Sequence, residues 1–290
     1  MRPDGVSIIV PVHNEEISLK SFAPKAEDFA KKHGFELIFI DDGSTDGSLK
    51  IIQELGLKCI IHHVKCGYGA ALKSGVKEAS RPHVLFIDGD GTYRLEDALC
   101  ITEACDGNSE VIGVRKNLHN TAFYVRIGRV FLTAFFNWIM KTRIKDINSG
   151  LRLVRKDFFN RYTSVLPDGF SCSTTLTILA VKTGQNMKFV PIEMLKRTGK
   201  SKVNLFKDGL NLLVLMLRAV TLLEPMVIFL PISTMFIFIS ATYGLSAALR
   251  KGIVVHVGTL LFFVSGIIFF ALGLICDQIS SLRMEQLKKD

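Results

Sequence analysis

The last third of the chain contains two long apolar segments, and they limit the folds that the chain can adopt. Residues 226–249 and 252–276 contain no Asp, Glu, Lys or Arg, and only Arg250 and Lys251 separate them. Each segment exceeds the roughly 20 residues that a helix needs to cross a bilayer. Two buried core helices are the alternative, but helices of globular domains are usually shorter. We therefore predict a transmembrane hairpin within residues 225–277.

Basic residues flank the outer ends of the predicted hairpin. They are Lys207, Arg218, Arg283, Lys288 and Lys289. Because positive charge favours the cytosolic side of a membrane, we expect both outer ends, and the domain before them, to lie in the cytosol. Residues 1–5 lead straight into a strand-like run and lack the apolar core of a signal peptide. The expected location is the inner (cytoplasmic) cell membrane, with a multi-pass anchor.

An excess of basic residues restricts the partners of the chain. Lys and Arg number 36 against 27 Asp and Glu, which gives a formal net charge of +9. This balance suits an anionic membrane surface and phosphate-bearing substrates. Nucleic acid is not an expected partner, because the sequence has no recognition motif and no single basic helix. The six cysteines form no Cys-x-x-Cys pattern, so we interpret them as reduced structural residues, and His62 and His63 as strand-end residues.

Short apolar runs alternate with helix-like stretches across the first half of the chain. The runs are 6–12, 36–40, 58–62, 84–87 and 111–114, and the helix-like stretches are 15–32, 46–55, 69–79 and 95–104. This alternation predicts an α/β fold with a mostly parallel sheet covered on both faces. Ligands of such sheets bind at the carboxyl ends of the strands.

Two amphipathic segments follow. Residues 123–145 place aromatic side chains on one face and basic or polar side chains on the other, which fits either a core helix or a membrane-surface helix. Residues 205–223 fit the membrane surface better, because they lead directly into the first apolar segment. The predicted domains are therefore a cytosolic domain at 1–204, a juxtamembrane helix at 205–224, the hairpin at 225–277 and a cytosolic tail at 278–290.

Acidic residues follow three of the predicted strands. Residues 88–90 read Asp-Gly-Asp, and alternate side chains of an extended segment point the same way, so both carboxylates can bind one divalent cation. The earlier strand ends carry the motifs VPVHNE at 10–15 and DDGSTD at 41–46. Each motif alone is common as strand-turn-helix punctuation. Their succession is harder to explain in that way.

In order and spacing these motifs resemble those of the family 2 glycosyltransferases, which have the GT-A fold. Further matches are GYGAALKSG at 67–75, GVR at 113–115, DINSGLR at 146–152 and RTGKSK at 197–202. The chain is most similar to the polyprenyl-phosphate sugar transferases, such as dolichyl-phosphate mannose synthases and bacterial undecaprenyl-phosphate glycosyltransferases. The resemblance covers roughly residues 6–205 and implies a nucleotide-sugar donor, UDP- or GDP-linked, and a polyprenyl phosphate acceptor.

The resemblance also implies roles for individual residues. The nucleoside would be bound by Pro11, Asn14, Glu15, Asp41 and Asp42. Asp88 and Asp90 would hold Mg²⁺ or Mn²⁺ against the diphosphate. The other substrate-binding residues would be Lys73, Ser149, Arg197, Lys200, Ser201 and Lys202, the basic ones among 197–202 closing over the diphosphate. The catalytic set would be Asp90, Arg115, Arg126, Asp146 and Arg152, with Arg115 and Arg126 facing phosphates and Arg152 beside Asp146. A membrane-facing basic stripe is the other interpretation of 197–202.

The chain departs from the family pattern in two places. Lys65 and Cys66 stand before the glycine turn where the family often has Asn, and His13 replaces a more usual Tyr. Both departures concern nucleotide contacts and leave the metal site intact. The Gln-x-x-Arg-Trp motif of processive polysaccharide synthases is missing from the sequence, which disfavours chain polymerisation.

The reaction that we expect is one inverting displacement of the nucleoside diphosphate by a polyprenyl phosphate. A phosphate monoester is largely dianionic at neutral pH and needs no strong general base, so Asp146 would orient Arg152 or the acceptor. One alternative is transfer to a hydroxyl-bearing membrane lipid, with Asp146 as the base. Another is a catalytically silent membrane scaffold. Two copies of the chain would associate through the hairpin, where Gly258, Gly266 and Gly273 permit close helix contact.

Overall fold

The computed structural model describes residues 5–116, 133–134, 136–138, 142–147, 149–169, 171–195, 221, 224–251 and 256–289. The chain divides into two compact units, Met1–Gly209 and Leu210–Asp290. Most of the amphipathic segment at 123–145, and nearly all of the one at 205–223, lie outside the described residues.

The first unit is built from strands and helices that alternate along the chain. Its strands are β1 (Val6–Val12), β2 (Glu36–Asp42), β3 (Cys59–His62), β4 (His83–Phe86), β5 (Glu110–Arg115), β6 (Arg152–Arg155) and β7 (Met187–Ile192). Its helices are α1 (Glu16–His33), α2 (Ser48–Glu54), α3 (Tyr68–Glu78), α4 (Leu95–Glu103), α5 (Lys156–Tyr162) and α6 (Cys172–Lys182).

The seven strands form one mixed sheet in the order β3-β2-β1-β4-β6-β5-β7. Strand β6 is antiparallel to both of its neighbours, and the remaining pairs are parallel. The chain builds outward from β1 to β3 and then returns to place β4 on the other side of β1. This reversal leaves a crevice at the carboxyl ends of β1 and β4, where sheets of this kind bind ligands.

Both faces of the central strands are buried, which explains their nearly continuous apolar sequences. On one face Ile8 and Phe39 share a core cluster with Leu19 of α1. On the other face α3 lies so close that a Cβ on Gly75 would be 2.5 Å from Ile9 and 2.8 Å from Ile40. The predicted α/β class with a mostly parallel sheet is confirmed. All five predicted strands and all four predicted helices occur, with ends that differ by at most two residues.

The second unit contains two long helices, α7 (Met226–Lys251) and α8 (Val257–Lys289). Within them Met226–Leu249 and Val257–Leu282 are long and apolar enough to cross a membrane, with mean hydropathies of 1.9 and 2.6. Most of their large apolar side chains are exposed, as expected of helices that contact lipid rather than a protein core.

The two helices pack through small residues. The hydroxyl of Ser233 donates to the carbonyl of Gly266 at 2.8 Å, and that of Ser240 donates to the carbonyl of Thr259 at 2.8 Å. A Cβ on Gly266 would lie 2.7 Å from Ile237, so only glycine permits this approach.

Gly258 and Gly273, the other two glycines at which we expected contact with a second copy, also lie against α7. A Cβ would lie 3.2 Å from Tyr243 at Gly258 and 2.8 Å from Phe229 at Gly273. All three glycines therefore face α7 within one hairpin. Their predicted contact with a second copy stays a prediction.

Candidate active site

Asn14 links the turn after β1 to the turn after β2 by hydrogen bonds. Its backbone is left-handed, with φ 56°, a conformation that Asn tolerates better than most residues. Its Oδ1 accepts a hydrogen bond from the Thr45 backbone N–H at 2.7 Å, and its own N–H donates to Ser44 Oγ at 3.0 Å. The next N–H, that of Glu15, donates to Ser48 Oγ at 2.8 Å. The motifs at 10–15 and 41–46 therefore form one structural unit.

Asp42, at the end of β2, is held by three donors. The N–H groups of Cys66 and Gly67 lie 2.9 Å from Oδ1 and Oδ2, and His62 Nδ1 lies 2.8 Å from Oδ1. Burial opposes ionisation of this carboxyl, but the hydrogen bonds from His62 and the two amides outweigh burial and lower its pKa. Asp42 is therefore a fixed anion at the carboxyl edge of the sheet.

Asp41 and Pro11 lie at the same edge. The register of β1 and β2 sets Pro11 beside Ile40, and Asp41 beside Val12. Asp41 is buried, and its Oδ2 accepts a hydrogen bond from the Ser44 N–H at 3.2 Å. Its Oδ1 is one of the buried side-chain oxygens without a hydrogen-bond partner among the described residues.

Asp88 and Asp90 follow β4, and their carboxylates have the oxygen chemistry that Mg²⁺ and Mn²⁺ prefer. Burial and the nearby charge of Asp90 raise the pKa of Asp88 to about 6, which hydrogen bonding from Tyr68 only partly offsets. A bound divalent cation would relieve this repulsion, so the acidic pair fits such an ion. Asp90 is oriented by Thr92, whose N–H and hydroxyl donate to Oδ1 at 3.0 and 2.6 Å.

Two tyrosines and a glycine shape the space around Asp88. The Tyr68 hydroxyl donates to Asp88 Oδ1 at 3.1 Å. The Gly150 backbone packs against the same carboxylate so closely that any Cβ there would collide with it. The Gly150 N–H donates to the Tyr93 hydroxyl at 3.0 Å, which fixes the loop in this position. Residue 150 must therefore be glycine for Asp88 to keep its place.

Arg115 and Asp146 form a two-pronged ion pair. Arg115 Nε donates to Oδ2 and Nη2 donates to Oδ1, each at 2.6 Å, and both side chains are less than a tenth exposed. Burial opposes the charge on Arg115, but the Asp146 carboxylate outweighs burial and raises the pKa of the guanidinium. The predicted neighbour of Asp146 was Arg152, whereas its bidentate partner is Arg115.

Arg152 is wholly buried. Its Nη1 donates to Glu110 Oε1 at 2.7 Å, and its Nη2 donates to the carbonyls of Ser149 and Ile147 at 2.6 and 3.3 Å. A fully buried guanidinium cannot touch a substrate from this position. Arg152 instead holds the carbonyls of Ile147 and Ser149 against β6, and the catalytic role predicted for it stays a prediction.

The other predicted site residues divide into two groups. Lys73 Nζ lies 2.7 Å from Asp168 Oδ1, and Ser149 is buried with its carbonyl bound to Arg152. Five predicted residues lie outside the described residues: Arg126, Arg197, Lys200, Ser201 and Lys202.

Four further residues at the site were not predicted. They are His62, Tyr68, Tyr93 and Glu110. His62 and Glu110 belong to strands, Tyr68 begins α3, and Tyr93 lies between β4 and α4. A signal existed only for Tyr68, because it lies within the motif at 67–75.

Comparison with known proteins decides the family. The model of "Glycosyl transferase family 2" matches residues 7–162, which include the acidic motifs and the Arg115–Asp146 pair. The chain belongs to glycosyl transferase family 2. A second model, "GtrB C-terminal hairpin", matches residues 224–282 and thus covers most of α7 and α8.

Several known sugar transferases resemble the chain over at least half of its length. It is 27% identical to "Glycosyltransferase AglJ" of Haloferax volcanii, over 99% of this chain and 97% of the relative. It is 23% identical to a "Dolichyl-phosphate hexose transferase" of the same organism, over 71% of this chain and 90% of the relative. It is 24% identical to an "Undecaprenyl-phosphate 4-deoxy-4-formamido-L-arabinose transferase" of Proteus mirabilis, over 52% of this chain and 49% of the relative.

Solved structures share the fold of this glycosyltransferase. Glucosyl-3-phosphoglycerate synthase from Mycobacterium tuberculosis, in complex with Mn²⁺ and UDP-glucose, superimposes with a TM-score of 0.57 at 18% identity. The match covers 74% of this chain and 78% of the synthase. At this identity the likeness establishes the GT-A-like fold of the first unit.

Proposed function

We propose that this glycosyltransferase moves a hexose from a UDP- or GDP-linked donor to a polyprenyl phosphate at the cytosolic membrane face, with inversion at the anomeric carbon. The observation that carries the proposal is the pair Asp88 and Asp90 at the topological switch point, in a chain whose α7 and α8 match a GtrB hairpin. The names of the dolichyl-phosphate and undecaprenyl-phosphate relatives support this acceptor class.

Asp88 and Asp90 would hold the metal, Mg²⁺ or Mn²⁺. Bound there, the ion would neutralise the diphosphate as it leaves. The chain itself prepares this site, because Tyr68 and Thr92 orient the two carboxylates and Gly150 leaves room beside Asp88. The Mn²⁺ complex of the structural neighbour supports a divalent metal for this fold.

Asp42 would lie beside the base, and Pro11, Asn14, Glu15 and Asp41 would surround the nucleoside. The fixed anion of Asp42 supports this role, because a carboxylate oriented by three donors can accept a hydrogen bond from a base without moving. Lys73 and Ser149 remain proposed substrate contacts. Arg126, Arg197, Lys200, Ser201 and Lys202 would contact phosphates or the membrane surface.

In the transfer step a phosphate oxygen of the acceptor attacks the anomeric carbon while the bond from that carbon to the diphosphate oxygen breaks. The acceptor phosphate has its second pKa near 6 and is already a nucleophile at neutral pH. Asp146 has both oxygens engaged by Arg115, which supports a role in holding Arg115 toward phosphate rather than in removing a proton. The alternative with a hydroxyl acceptor needs a base, and this pairing disfavours Asp146 for that task.

The membrane arrangement follows from the acceptor. A polyprenyl phosphate keeps its phosphate at headgroup depth, so the catalytic domain, residues 1–204, has to work next to the bilayer. Residues 205–224 would lie along the surface, the hairpin would anchor the protein in the inner membrane, and residues 278–290 would return to the cytosol. Association of two copies stays a prediction.

The test uses purified full-length protein in detergent with UDP-glucose, UDP-N-acetylhexosamine or GDP-mannose as donor. Undecaprenyl phosphate, dolichyl phosphate and diacylglycerol serve as acceptors, and product masses are measured with metal and with chelator. We expect a polyprenyl-phosphate sugar that forms only with metal. A glycosylated diacylglycerol would overturn the acceptor, and no transfer from any donor would favour a silent scaffold.

A further inference from the structure

A second cluster of side chains that could bind a metal ion consists of Asp42, His62 and Cys66. Asp42 ends β2, His62 ends β3 and Cys66 lies in the turn before α3. One ligand atom from each of these residues lies within 4.8 Å of the other two. The Asp42 carboxylate and His62 Nδ1 are already in hydrogen-bond contact at 2.8 Å. Three strand-end or turn residues thus bring an oxygen, a nitrogen and a sulfur ligand to one place.

The donor set selects a different kind of ion from the one proposed for the Asp88–Asp90 pair. Thiolate and imidazole favour Zn²⁺ and similar thiophilic ions, whereas a site with only carboxylates favours Mg²⁺ or Mn²⁺. A thiolate, a carboxylate and a neutral imidazole also carry two negative charges, which match a divalent cation. The two clusters at this edge of the sheet would therefore select different cations.

The geometry requires only small movements. Zinc binds nitrogen, oxygen and sulfur ligands at about 2.0–2.3 Å, so ligand atoms of a tetrahedral site lie about 3.3–3.8 Å apart. The Asp42–His62 hydrogen bond would open slightly and the Cys66 thiol would rotate inward. Cys66 is exposed, and its thiol makes only a weak contact of 3.3 Å with the Val64 carbonyl, so this rotation is inexpensive.

His62 has the outer partner that metal-bound histidines usually have. Its Nε2 lies 2.9 Å from Ser74 Oγ on α3. When a metal displaces the Nδ1 proton that His62 donates to Asp42, a hydrogen bond from Nε2–H to the Ser74 hydroxyl would hold the ring in the tautomer that binds metal through Nδ1. With three protein ligands, the fourth position stays open to solvent on the side of the exposed thiol.

We propose that Asp42, His62 and Cys66 form a site for Zn²⁺ or a similar thiophilic cation, and that the bound ion blocks the nucleotide-sugar donor. The second part rests on the proposed function, which places the nucleoside at Asp42. A carboxylate that binds metal offers fewer and weaker acceptor sites to a base, and the ion occupies the space beside it. Zinc is therefore an inhibitor that competes with the donor, while Mg²⁺ or Mn²⁺ supports transfer.

The first experiment measures the metal itself, in chelator-treated full-length protein with excess Mg²⁺. Co²⁺ replaces Zn²⁺ as the probe, since a cobalt–thiolate bond gives an intense near-ultraviolet band. We compare the wild type with Cys66→Ser, Ser74→Ala and the matched control Cys100→Ser, which removes another exposed cysteine. We expect the band in the wild type and in Cys100→Ser, its loss in Cys66→Ser, and Co²⁺ affinity at least about tenfold weaker in Ser74→Ala.

The second experiment measures transfer at several donor concentrations with and without Zn²⁺, each variant being compared with its own zinc-free rate. We expect Zn²⁺ to raise the KM for the donor in the wild type and Cys100→Ser, and to have an effect at least about tenfold weaker in Cys66→Ser. A missing band in the wild type, or a band that survives in Cys66→Ser, would overturn the site. A cobalt–thiolate band in the wild type, together with a KM for the donor that Zn²⁺ does not change, would overturn the proposal that the ion blocks the donor. Failure of the proposed function is a separate result, namely no transfer by the zinc-free wild type.

Discussion

The guanidinium of Arg115 donates two parallel hydrogen bonds of 2.6 Å to the carboxylate of Asp146. Both groups are almost fully buried, and they come from β5 and from the loop before β6. A carboxylate held in this way by both oxygens orients its arginine. The pair therefore bears directly on whether the reaction needs a general base.

Replacing Asp146 with Asn should lower kcat by less than about a hundredfold, whereas loss of a general base costs about 10²–10⁴. The acid limb of the pH–rate profile should remain, because it reports ionisation of the acceptor phosphate near pH 6. The measurement is the rate of sugar transfer across pH for the wild type and Asp146→Asn. Disappearance of the acid limb in the variant would indicate that Asp146 is the base and would favour a hydroxyl acceptor.

Removing the Tyr68 hydroxyl should weaken the metal site. The hydroxyl donates to Asp88 and favours its ionised form, so Tyr68→Phe should bind Mn²⁺ about tenfold more weakly in the absence of donor, or about 1.4 kcal/mol. Free Mn²⁺ is measured by electron paramagnetic resonance. Tyr162→Phe, a buried tyrosine of α5, is the matched control. Equal affinities in the two variants would exclude Tyr68 from the site.

The buried pair of Arg152 and Glu110 should behave as a structural unit. Arg152→Met leaves Glu110 as a buried carboxylate without its partner, which should cost about 3–5 kcal/mol of stability. The double variant Arg152→Met with Glu110→Gln should regain much of that loss. Thermal unfolding in detergent measures both. A stable Arg152→Met protein that has lost transfer would instead support the catalytic role first predicted for Arg152.

The sequence made the first half of the fold predictable because both faces of β1, β2 and β4 are buried, and such strands are short apolar runs. The strands β6 and β7 were missed because charged residues or proline interrupt their apolar sequences. Strand β6 has four residues and begins and ends with arginine, and Arg152 lies in the core, where it pairs with the buried carboxylate of Glu110.

The site residues also divide into those that a local sequence pattern predicts and those whose contacts depend on the pairing of distant strands. The acidic motifs at strand ends are visible as local patterns, so Asp42, Asp88 and Asp90 could be proposed from the sequence. The partner of Asp146 was not, because Arg115 lies 31 residues away and the pairing depends on how β5 and β6 are arranged in the sheet. His62 was interpreted as a strand-end residue for a similar reason, since its contact with Asp42 depends on the pairing of β2 with β3.

Acid should destabilise the domain through Glu36. Burial opposes ionisation of Glu36, but hydrogen bonds from Ser7, Ser80 and Lys58 outweigh it and lower its pKa from 4.5 to about 2. A folded-state pKa below the unfolded value means stability that is present above pH 4.5 and is lost as the pH falls toward 2. At neutral pH this is worth about 3 kcal/mol.

We therefore expect Glu36→Gln to unfold at a lower temperature than the wild type at pH 7, and the difference to shrink between pH 4.5 and 2. Thermal unfolding of both proteins across this pH range measures the effect. A difference that stays constant down to pH 2 would show that the charge of Glu36 does not contribute.

The central claim is that Asp88 and Asp90 hold a metal that the transfer requires, and the variant Asp90→Asn tests it most directly. Its control is Asp106→Asn, which changes an exposed aspartate before β5, at the opposite edge of the sheet. The measurement is the rate at which the polyprenyl-phosphate sugar forms with Mg²⁺ or Mn²⁺, together with the unfolding temperature of each variant. We expect Asp90→Asn to stay folded and lose about 10²–10³-fold in rate, while Asp106→Asn keeps wild-type turnover. Normal turnover by folded Asp90→Asn would contradict the claim.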